Sequence, residues 1–138
     1  MIVPDQARAR AREAVVCGPR DTIVCERCRV ADTPLARMRG LLGRKGIGAE
    51  EGLLLRPAPS IHTFFMRFPI DAVFLDAHGR VLKVVEDLKP WRAAACRGAK
   101  AVLELAAGQA RQRGIRLGDR LEERAFPSAA STGQRSVA

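Results

Sequence analysis

The chain has 138 residues, of which 47% are hydrophobic, and a formal net charge of +9. This length suits a single domain with tails, and this apolar content argues against a wholly disordered chain. No apolar run approaches the roughly 20 residues of a membrane-spanning helix, and the first residues lack the pattern of a secretory signal, so we expect a soluble, cytoplasmic protein without a membrane span.

The positive charge comes mainly from arginine, which supplies 20 of the 24 basic residues. The arginines are scattered from Arg8 to Arg135, and this spread favours a solvated basic surface over a dedicated nucleic-acid interface. We therefore do not expect nucleic acid as the partner. Binding to an anionic surface or a nucleic acid through net charge alone stays as an alternative, and it predicts a steep dependence on salt.

The four cysteines, Cys17, Cys25, Cys28 and Cys96, are expected to stay reduced in the cytosol. Cys25 and Cys28 have the spacing of half a zinc site, but a structural zinc ion needs four ligands. If these two residues lie in one strand, their side chains point to opposite faces and cannot hold one ion. We predict no metal site and no cofactor.

The first part of the chain predicts a hairpin followed by a helix. Residues 1–13 are polar and are expected to form a mobile arm. A hairpin is predicted from Ala14 to Ala31, because two apolar runs flank the turn residues Gly-Pro-Arg-Asp. A short helix is predicted near residues 33–43, where Pro34 suits the first turn and apolar residues recur at helical spacing.

The middle of the chain predicts short strands. Residues 53–55 form a buried strand, and a second strand runs from Ile61 to Met66 until Pro69 breaks it. A strand from Ile70 to Leu75 then turns at residues 76–79. The chain returns at residues 80–86, and this pair is the clearest hairpin in the sequence.

The last part of the chain continues in short elements. They are a loop at residues 93–100, a strand at 101–105, a possible helical turn near 107–113, a strand at 120–122 and a disordered tail at 125–138. Many short strands joined by Gly/Pro turns indicate a mainly β fold. We predict one domain over residues 14–124, built as a small antiparallel β-sandwich or a partly closed barrel.

The run from Ser60 to Asp76 holds four of the five phenylalanines and contains most of the candidate site. Strand alternation places His62 and Met66 on one face and Phe65 on the other. Such large apolar residues are ordinarily core, and His62 is ordinarily a half-buried histidine without a catalytic role.

Two charged residues flank the predicted break at Pro69. Arg67 and Asp71 place a cation and an anion where the two strands separate, which suits either a polar ligand site or a structural ion pair. The candidate ligand-binding residues are Arg39, His62, Phe65, Met66, Arg67, Asp71, Trp91 and Glu104. The sequence marks no nucleophile, so no catalytic residue is assigned.

Glu104 is unusual because it lies within a strand of otherwise buried residue types. The alternation of Val102 and Glu104 against Leu103 and Leu105 slightly favours an outward side chain. If the side chain faces the core instead, an unpaired carboxylate costs roughly 2–5 kcal/mol, and a partner such as Arg39 or Arg67 is required.

Several motifs together resemble a known family. They are Arg39-Gly40-Leu41-Leu42-Gly43-Arg44, Gly52-Leu53-Leu54-Leu55, the run from His62 to Asp76 with Gly79, Val102-Leu103-Glu104-Leu105 with Gly108, Gly114-Ile115 and Gly118-Asp119. Their order and spacing over about Val24 to Leu121 resemble the domain-of-unknown-function family numbered 192. The resemblance implies a small, mostly β domain and no agreed activity.

The chain departs from that family at one place. Many members have Trp-Met-Lys-Asn-Thr where this chain has Phe65-Met66-Arg67-Phe68-Pro69. The aromatic residue, the methionine and the cation are kept in type, while the amide and the hydroxyl are lost. Any role that needs those two polar groups does not carry over.

Three functions follow as hypotheses. The first is a module that binds a small molecule or a peptide in a pocket at the kink of the chain from Phe65 to Asp71, where arginines would suit an anionic ligand. The second is a hydrolytic enzyme that uses His62 as a base with Asp71 or Glu104. The third is the charge-driven binder described above.

Overall fold

The computed structural model describes residues 12–33 and 41–125, and within them the fold is mainly β, as predicted. The strands are β1 (Arg12–Cys17), β2 (Ile23–Ala31), β3 (Glu51–Leu55), β4 (Ser60–His62), β5 (Ile70–Leu75), β6 (Val81–Leu88), β7 (Ala93–Ala95), β8 (Ala101–Ala106) and β9 (Glu122–Ala125). One short helix, α1, spans Gln109–Gln112, where a helical turn was expected.

Seven strands form one sheet in the order β6-β5-β8-β3-β2-β1-β9, and β4 pairs with β7 in a separate two-stranded sheet. The large sheet is mixed rather than purely antiparallel, because β2 and β3 run parallel. Its two edges meet at a bridge between Arg80 and Arg120, where the Leu121 amide also donates to the Gly79 carbonyl at 2.8 Å. The sheet is therefore curled and partly closed, without forming a closed barrel.

The two predicted hairpins are confirmed. β1 pairs with β2, and β5 pairs with β6 around a turn in which the Asp76 side chain accepts hydrogen bonds from the amides of His78 and Arg80. The helix predicted near residues 33–43 falls largely on residues 34–40, outside the part of the chain that the structure describes, as do most of the expected arm and tail.

Several predicted element limits were wrong. The first strand begins at Arg12, inside the residues expected to form a mobile arm. The strand expected from Ile61 to Met66 ends at His62, because the hydroxyl of the next residue, Thr63, takes the Arg92 amide. The loop expected at residues 93–100 contains β7, because its three alanines pair with β4. The last strand begins at Glu122, since Arg120 is used in the bridge that joins the sheet edges.

The large sheet packs a core against each of its faces. One face carries a cluster that includes Cys25, Cys28, Leu103 and Leu105. The opposite face carries a second cluster that includes Leu53, Phe74 and Val102, together with Met66 and Phe68 from the segment beyond β4. Every residue of β5 is buried for this reason, and only the last residue of β8 is partly exposed.

Cys25 and Cys28 share one face of the sheet, so the prediction that they point apart was wrong. Ala14 pairs with Cys28 and Val16 with Cys25, so two residues of β2 oppose the single Val15. This β-bulge shifts the alternation by one residue and turns both thiols into the same core. The hydrogen bond between them lowers the pKa of Cys25 and raises that of Cys28. Among the described residues no group of three possible metal ligands forms.

The contact between Gly79 and Leu121 at the sheet edges predicts that two glycine substitutions lower the free energy of unfolding by different amounts. Gly79 and Gly118 both have a left-handed backbone, with φ of 82° and 88°. A Cβ at Gly79 would collide with the Leu121 backbone carbonyl, whereas a Cβ at Gly118 would have no neighbour within 4 Å. Gly118→Ala should cost about 1 kcal/mol through backbone strain. Gly79→Ala should cost about 2 kcal/mol more, because the clash adds to the same strain. Denaturant unfolding of both variants measures the difference, and equal losses would contradict the proposed edge contact.

Candidate functional site

Four rings form a cluster on the surface beside the two-stranded sheet. We call it the aromatic face, and it consists of His62, Phe64, Phe65 and Trp91. Phe65 is 69% exposed, Trp91 56% and Phe64 39%. Neighbouring ring centroids are 4.7 Å apart for His62 and Phe64, 6.0 Å for Phe64 and Trp91, and 4.7 Å for Phe65 and Trp91. Clustered exposed apolar side chains of this kind mark interaction sites more often than scattered ones do.

Thr63 holds the two segments of the aromatic face together. Its side chain is fully buried, and its hydroxyl donates to the Lys89 carbonyl at 2.6 Å while accepting from the Arg92 amide at 2.9 Å. Its own amide donates to the Arg92 carbonyl at 2.8 Å. Its carbonyl accepts from the amides of Trp91 at 3.0 Å and Met66 at 3.2 Å. The pairing with β7 stops at Thr63 because the Arg92 amide donates to the Thr63 hydroxyl, while the Thr63 carbonyl accepts from Trp91 and Met66.

The backbone at two of the rings is left-handed. Phe65 has a φ of 66° and Trp91 a φ of 64°. A side chain in this conformation costs roughly 1–2 kcal/mol, and such residues concentrate at ligand sites. The turn at Phe65 also corrects the predicted alternation. Phe65 points to solvent, while Met66 is only 7% exposed and packs in the core behind it.

The rim of the aromatic face is positively charged. Arg67 follows Phe65 by two residues, Lys89 and Arg92 lie on either side of Trp91 in the chain, and all three are exposed. The nearest acid in the chain, Asp87, binds the Lys89 ammonium at 3.0 Å. The Arg92 guanidinium donates to the Trp91 carbonyl at 3.3 Å. Within residues 12–33 and 41–125, neither Arg67 nor Arg92 has an acidic partner. Two guanidinium groups are therefore free to bind an anion beside the rings.

Asp71 is fully buried and does not pair with Arg67 in the described structure. Its carboxylate accepts hydrogen bonds of 2.9 Å from the backbone amides of Asp87, Gly108 and Ala110. These three donors fasten the end of β6 and the start of α1 to β5. The structure thus places Asp71 in the interior as an anchor, away from the surface where a ligand could reach it.

Glu104 faces the core, so the slightly favoured outward orientation was wrong. The side chain is 4% exposed, because both faces of the sheet are covered, and its cross-strand neighbours are Leu53 and Ala72. No hydrogen bond or ion pair to it forms among the described residues, and Arg67 is exposed. Burial raises the pKa of Glu104 to about 8. Protonation thus replaces the ion pair that a buried carboxylate would require.

Two candidate ligand-binding residues remain, Arg39 and His62. Arg39 lies among residues 34–40 and is not described. His62 is exposed and stacks on Phe64, and no described carboxylate hydrogen-bonds to it. The structure therefore brings together His62, Phe65 and Trp91 with Arg67 at the rim, places Met66 beneath them, and separates Asp71 and Glu104 from them.

Sequence reasoning missed the roles of Thr63, Phe64 and Arg92. A polar threonine within an apolar run looked like an ordinary strand residue. The available signal was the succession Phe64-Phe65-Met66, because a strand buried on one face cannot hide three large consecutive side chains. That succession indicates a turn or an exposed aromatic residue.

The fold and the site together define a mainly β module that presents a fixed aromatic face with a basic rim. The chain belongs to the family of the domain of unknown function 192, described as uncharacterized ACR, whose model matches residues 17–123. This confirms the family resemblance seen in the sequence. Within the described residues, no helix is long and apolar enough to cross a membrane.

Two curated relatives are named as UPF0127 proteins. The chain is 43% identical over 67 residues to the protein PH1112 of Pyrococcus horikoshii, a match that covers 46% of this chain and 57% of that protein. It is 32% identical over 101 residues to a protein of Thermococcus sibiricus, covering 70% of this chain and 65% of that protein. The chain thus spans less than two thirds of the length of either relative.

Two solved structures share the fold. A protein of unknown function from Novosphingobium aromaticivorans superposes with a TM-score of 0.69 at 26% identity, covering 80% of this chain and 83% of that chain. A protein from Sinorhizobium meliloti, provisionally assigned as a transcription regulator, gives a TM-score of 0.73 at 23% identity, covering 83% of this chain and 95% of that chain. The second likeness concerns the fold alone.

The Thr63 hydroxyl gives a direct stability prediction. Thr63→Val should lower the free energy of unfolding by about 2–3 kcal/mol, because the Arg92 amide loses its acceptor in a buried position. Thr63→Ser keeps the hydroxyl and should recover most of that loss. Thr22→Val is the matched control, since the Thr22 hydroxyl is exposed where it donates to the Pro19 carbonyl. Urea unfolding compares the three variants, and a Thr63→Val protein as stable as the Thr22→Val protein would refute the role.

The raised pKa of the buried Glu104 carboxyl predicts how the free energy of unfolding changes with pH. A carboxyl whose pKa rises from an ordinary 4.5 to about 8 on folding binds its proton more tightly in the folded state. The free energy of unfolding should therefore fall as pH rises between these values, by up to roughly 5 kcal/mol at about 1.4 kcal/mol per pH unit. Glu104→Gln should remove this fall, so that the variant is the more stable protein at pH above 8. Unfolding curves across this range test it, and parallel pH profiles for the two proteins would contradict a buried, unpaired carboxyl.

Proposed function

We propose that this protein is a binding module for a small molecule that lies on the aromatic face. The ligand carries a flat or apolar group for the rings and an anionic group for the arginines at the rim. The observation that carries the proposal is the pair of large side chains, Phe65 and Trp91, that stay exposed on left-handed backbone. Folding alone would favour the opposite arrangement.

The physical argument rests on what this arrangement costs. Exposed rings forgo about 25 cal/mol for each Å² of apolar surface left in water, and each left-handed side chain adds strain. The buried Thr63 hydroxyl keeps both segments in place despite these costs. A surface that is unfavourable for stability and yet held rigidly is well suited to binding, because the ligand then has little ordering to impose.

The charges near the rings favour an anionic ligand. Arg67 and Arg92 have no acidic partner among the described residues, whereas seven arginines elsewhere in that part of the chain do. Those seven are Arg12, Arg27, Arg44, Arg56, Arg111, Arg113 and Arg124. Ion pairing leaves the net charge of +9 unchanged, because each pair removes one positive and one negative charge. The salt dependence of binding therefore separates the charge-driven alternative from this proposal.

Hydrolysis has less support than binding. A base that removes a proton from water usually needs a group to orient it, and no described carboxylate bonds to His62. Asp71 is saturated by three backbone amides, and Glu104 lies within the sheet core. Neither acid is placed to assist His62.

The single tryptophan of the chain provides the test, since it belongs to the site. A panel of small anions with and without ring systems is titrated while Trp91 fluorescence is recorded. Saturable quenching by ring-bearing anions is expected. Phe65→Gly should abolish it without loss of stability, because glycine accepts the left-handed backbone and Phe65 is mostly exposed.

Leu117→Ala is the matched control, because Leu117 is another large apolar residue that is 67% exposed but lies outside the aromatic face. Its binding curve should equal that of the unmodified protein. A silent panel would overturn the proposal, as would quenching that Phe65→Gly leaves intact. Quenching by peptides alone would replace the small molecule with a peptide ligand.

A further inference from the structure

We infer that the ligand of the aromatic face is a nucleoside phosphate, with its base stacked on Trp91 beside the edge of Phe65 and its phosphate held by Arg67 and Arg92. The inference rests on the proposed function and narrows it to one chemical class. Three observations support it: the openness of the face, the orientation of its rings, and the kind of cation at its rim.

The aromatic face is open rather than enclosed. Phe65 is 69% exposed and Trp91 56% exposed. Three clefts lie elsewhere among the described residues, and one of about 370 Å³ is lined by residues of β6 and of the segment from Ala110 to Leu117. None of the three is lined by a residue of the aromatic face. A saturated apolar ligand needs enclosure, because its affinity comes from surface removed from water. A flat π-system can instead bind an open ring face by stacking.

The rings are arranged for stacking. Adjacent planes differ by 26° between His62 and Phe64 and by 27° between Phe64 and Trp91, so each of these two neighbouring pairs is stacked. Phe65 is tilted by 58° against Trp91 and forms an edge beside it. A nucleobase matches this shape, since it is flat and comparable in size to an indole.

The cations at the rim are suited to phosphate. A guanidinium group binds two phosphate oxygens through parallel N–H donors. Arg92 has its backbone amide fixed by the Thr63 hydroxyl, and Arg67 follows two residues after Phe65. Neutral sugars are a poorer match, because they need carboxylate or amide acceptors, and the nearby Asp87 is bound to Lys89.

The test compares the binding of a whole nucleotide with the binding of its nucleoside and its sugar phosphate. Trp91 fluorescence is titrated with adenosine monophosphate, adenosine and ribose phosphate, using the full chain. The whole nucleotide is expected to bind about tenfold or more tightly than either part, since each part loses one of the two contacts. Arg67→Ala and Arg92→Ala should each weaken the nucleotide about tenfold and leave adenosine unchanged. Arg116→Ala is the matched control, because Arg116 is exposed and has no acidic side-chain ion pair among the described residues.

The outcomes separate this inference from the function on which it rests. Naphthalene sulfonate, a flat ring with an anionic group, serves as the comparison ligand. If it quenches Trp91 saturably and adenosine monophosphate does not, the binding module stands and the nucleotide class is overturned. If neither binds, both fail. Adenosine as tight as its monophosphate, with no effect of Arg67→Ala, would overturn phosphate recognition.

A short single-stranded oligodeoxyadenylate distinguishes the two sources of a nucleoside phosphate. Binding per nucleotide far tighter than that of the free nucleotide, and lost in Phe65→Gly, would assign the site to single strands. Equal binding would assign it to free nucleotides. Either result supports the inference, whereas oligonucleotide binding that Phe65→Gly leaves unchanged would contradict it.

Discussion

The aromatic face depends on one buried hydroxyl group. Thr63 joins the end of β4 to the loop before β7, and its side chain and backbone make contacts with Lys89, Trp91 and Arg92. Because the Arg92 amide donates to the Thr63 hydroxyl and the Met66 amide to the Thr63 carbonyl, strand pairing stops at Thr63 and the chain turns at Phe65. The rings of Phe65 and Trp91 are thereby held exposed to solvent, on a left-handed backbone that these residues would not otherwise favour. The face is a consequence of that local network and not of the large sheet.

The large sheet buries two acidic side chains, Asp71 in β5 and Glu104 in β8, in different surroundings. The Asp71 side chain accepts hydrogen bonds from three backbone amides, and it ties β5 to the start of α1. Glu104 has no such donors among the described residues, so burial favours its protonated form and the pKa rises. The two buried acids in neighbouring strands therefore differ in their hydrogen bonding, since Asp71 accepts from three backbone amides and Glu104 accepts from no donor among the described residues.

The sequence predicted the elements that local chemistry determines. The hairpin around Asp76 and Gly79, the strand at Leu103 and the helical turn after Gly108 follow from turn residues and apolar runs. It could not predict the parallel pairing of β2 with β3 or the meeting of the sheet edges, which are long-range. It also missed the β-bulge between Cys25 and Cys28, since one extra residue reverses every side-chain direction beyond it.

The central claim is that Thr63 holds the aromatic face rigid before any ligand arrives. Amide hydrogen exchange of Arg92, whose N–H donates to the Thr63 hydroxyl at 2.9 Å, measures this directly. Exposed loops exchange through small local openings, whereas a fixed core amide exchanges only on larger unfolding. We predict that the Arg92 amide is protected nearly as well as amides in β5, and that Thr63→Val removes this protection. Exchange of Arg92 at the rate of an unstructured loop would contradict a preformed site.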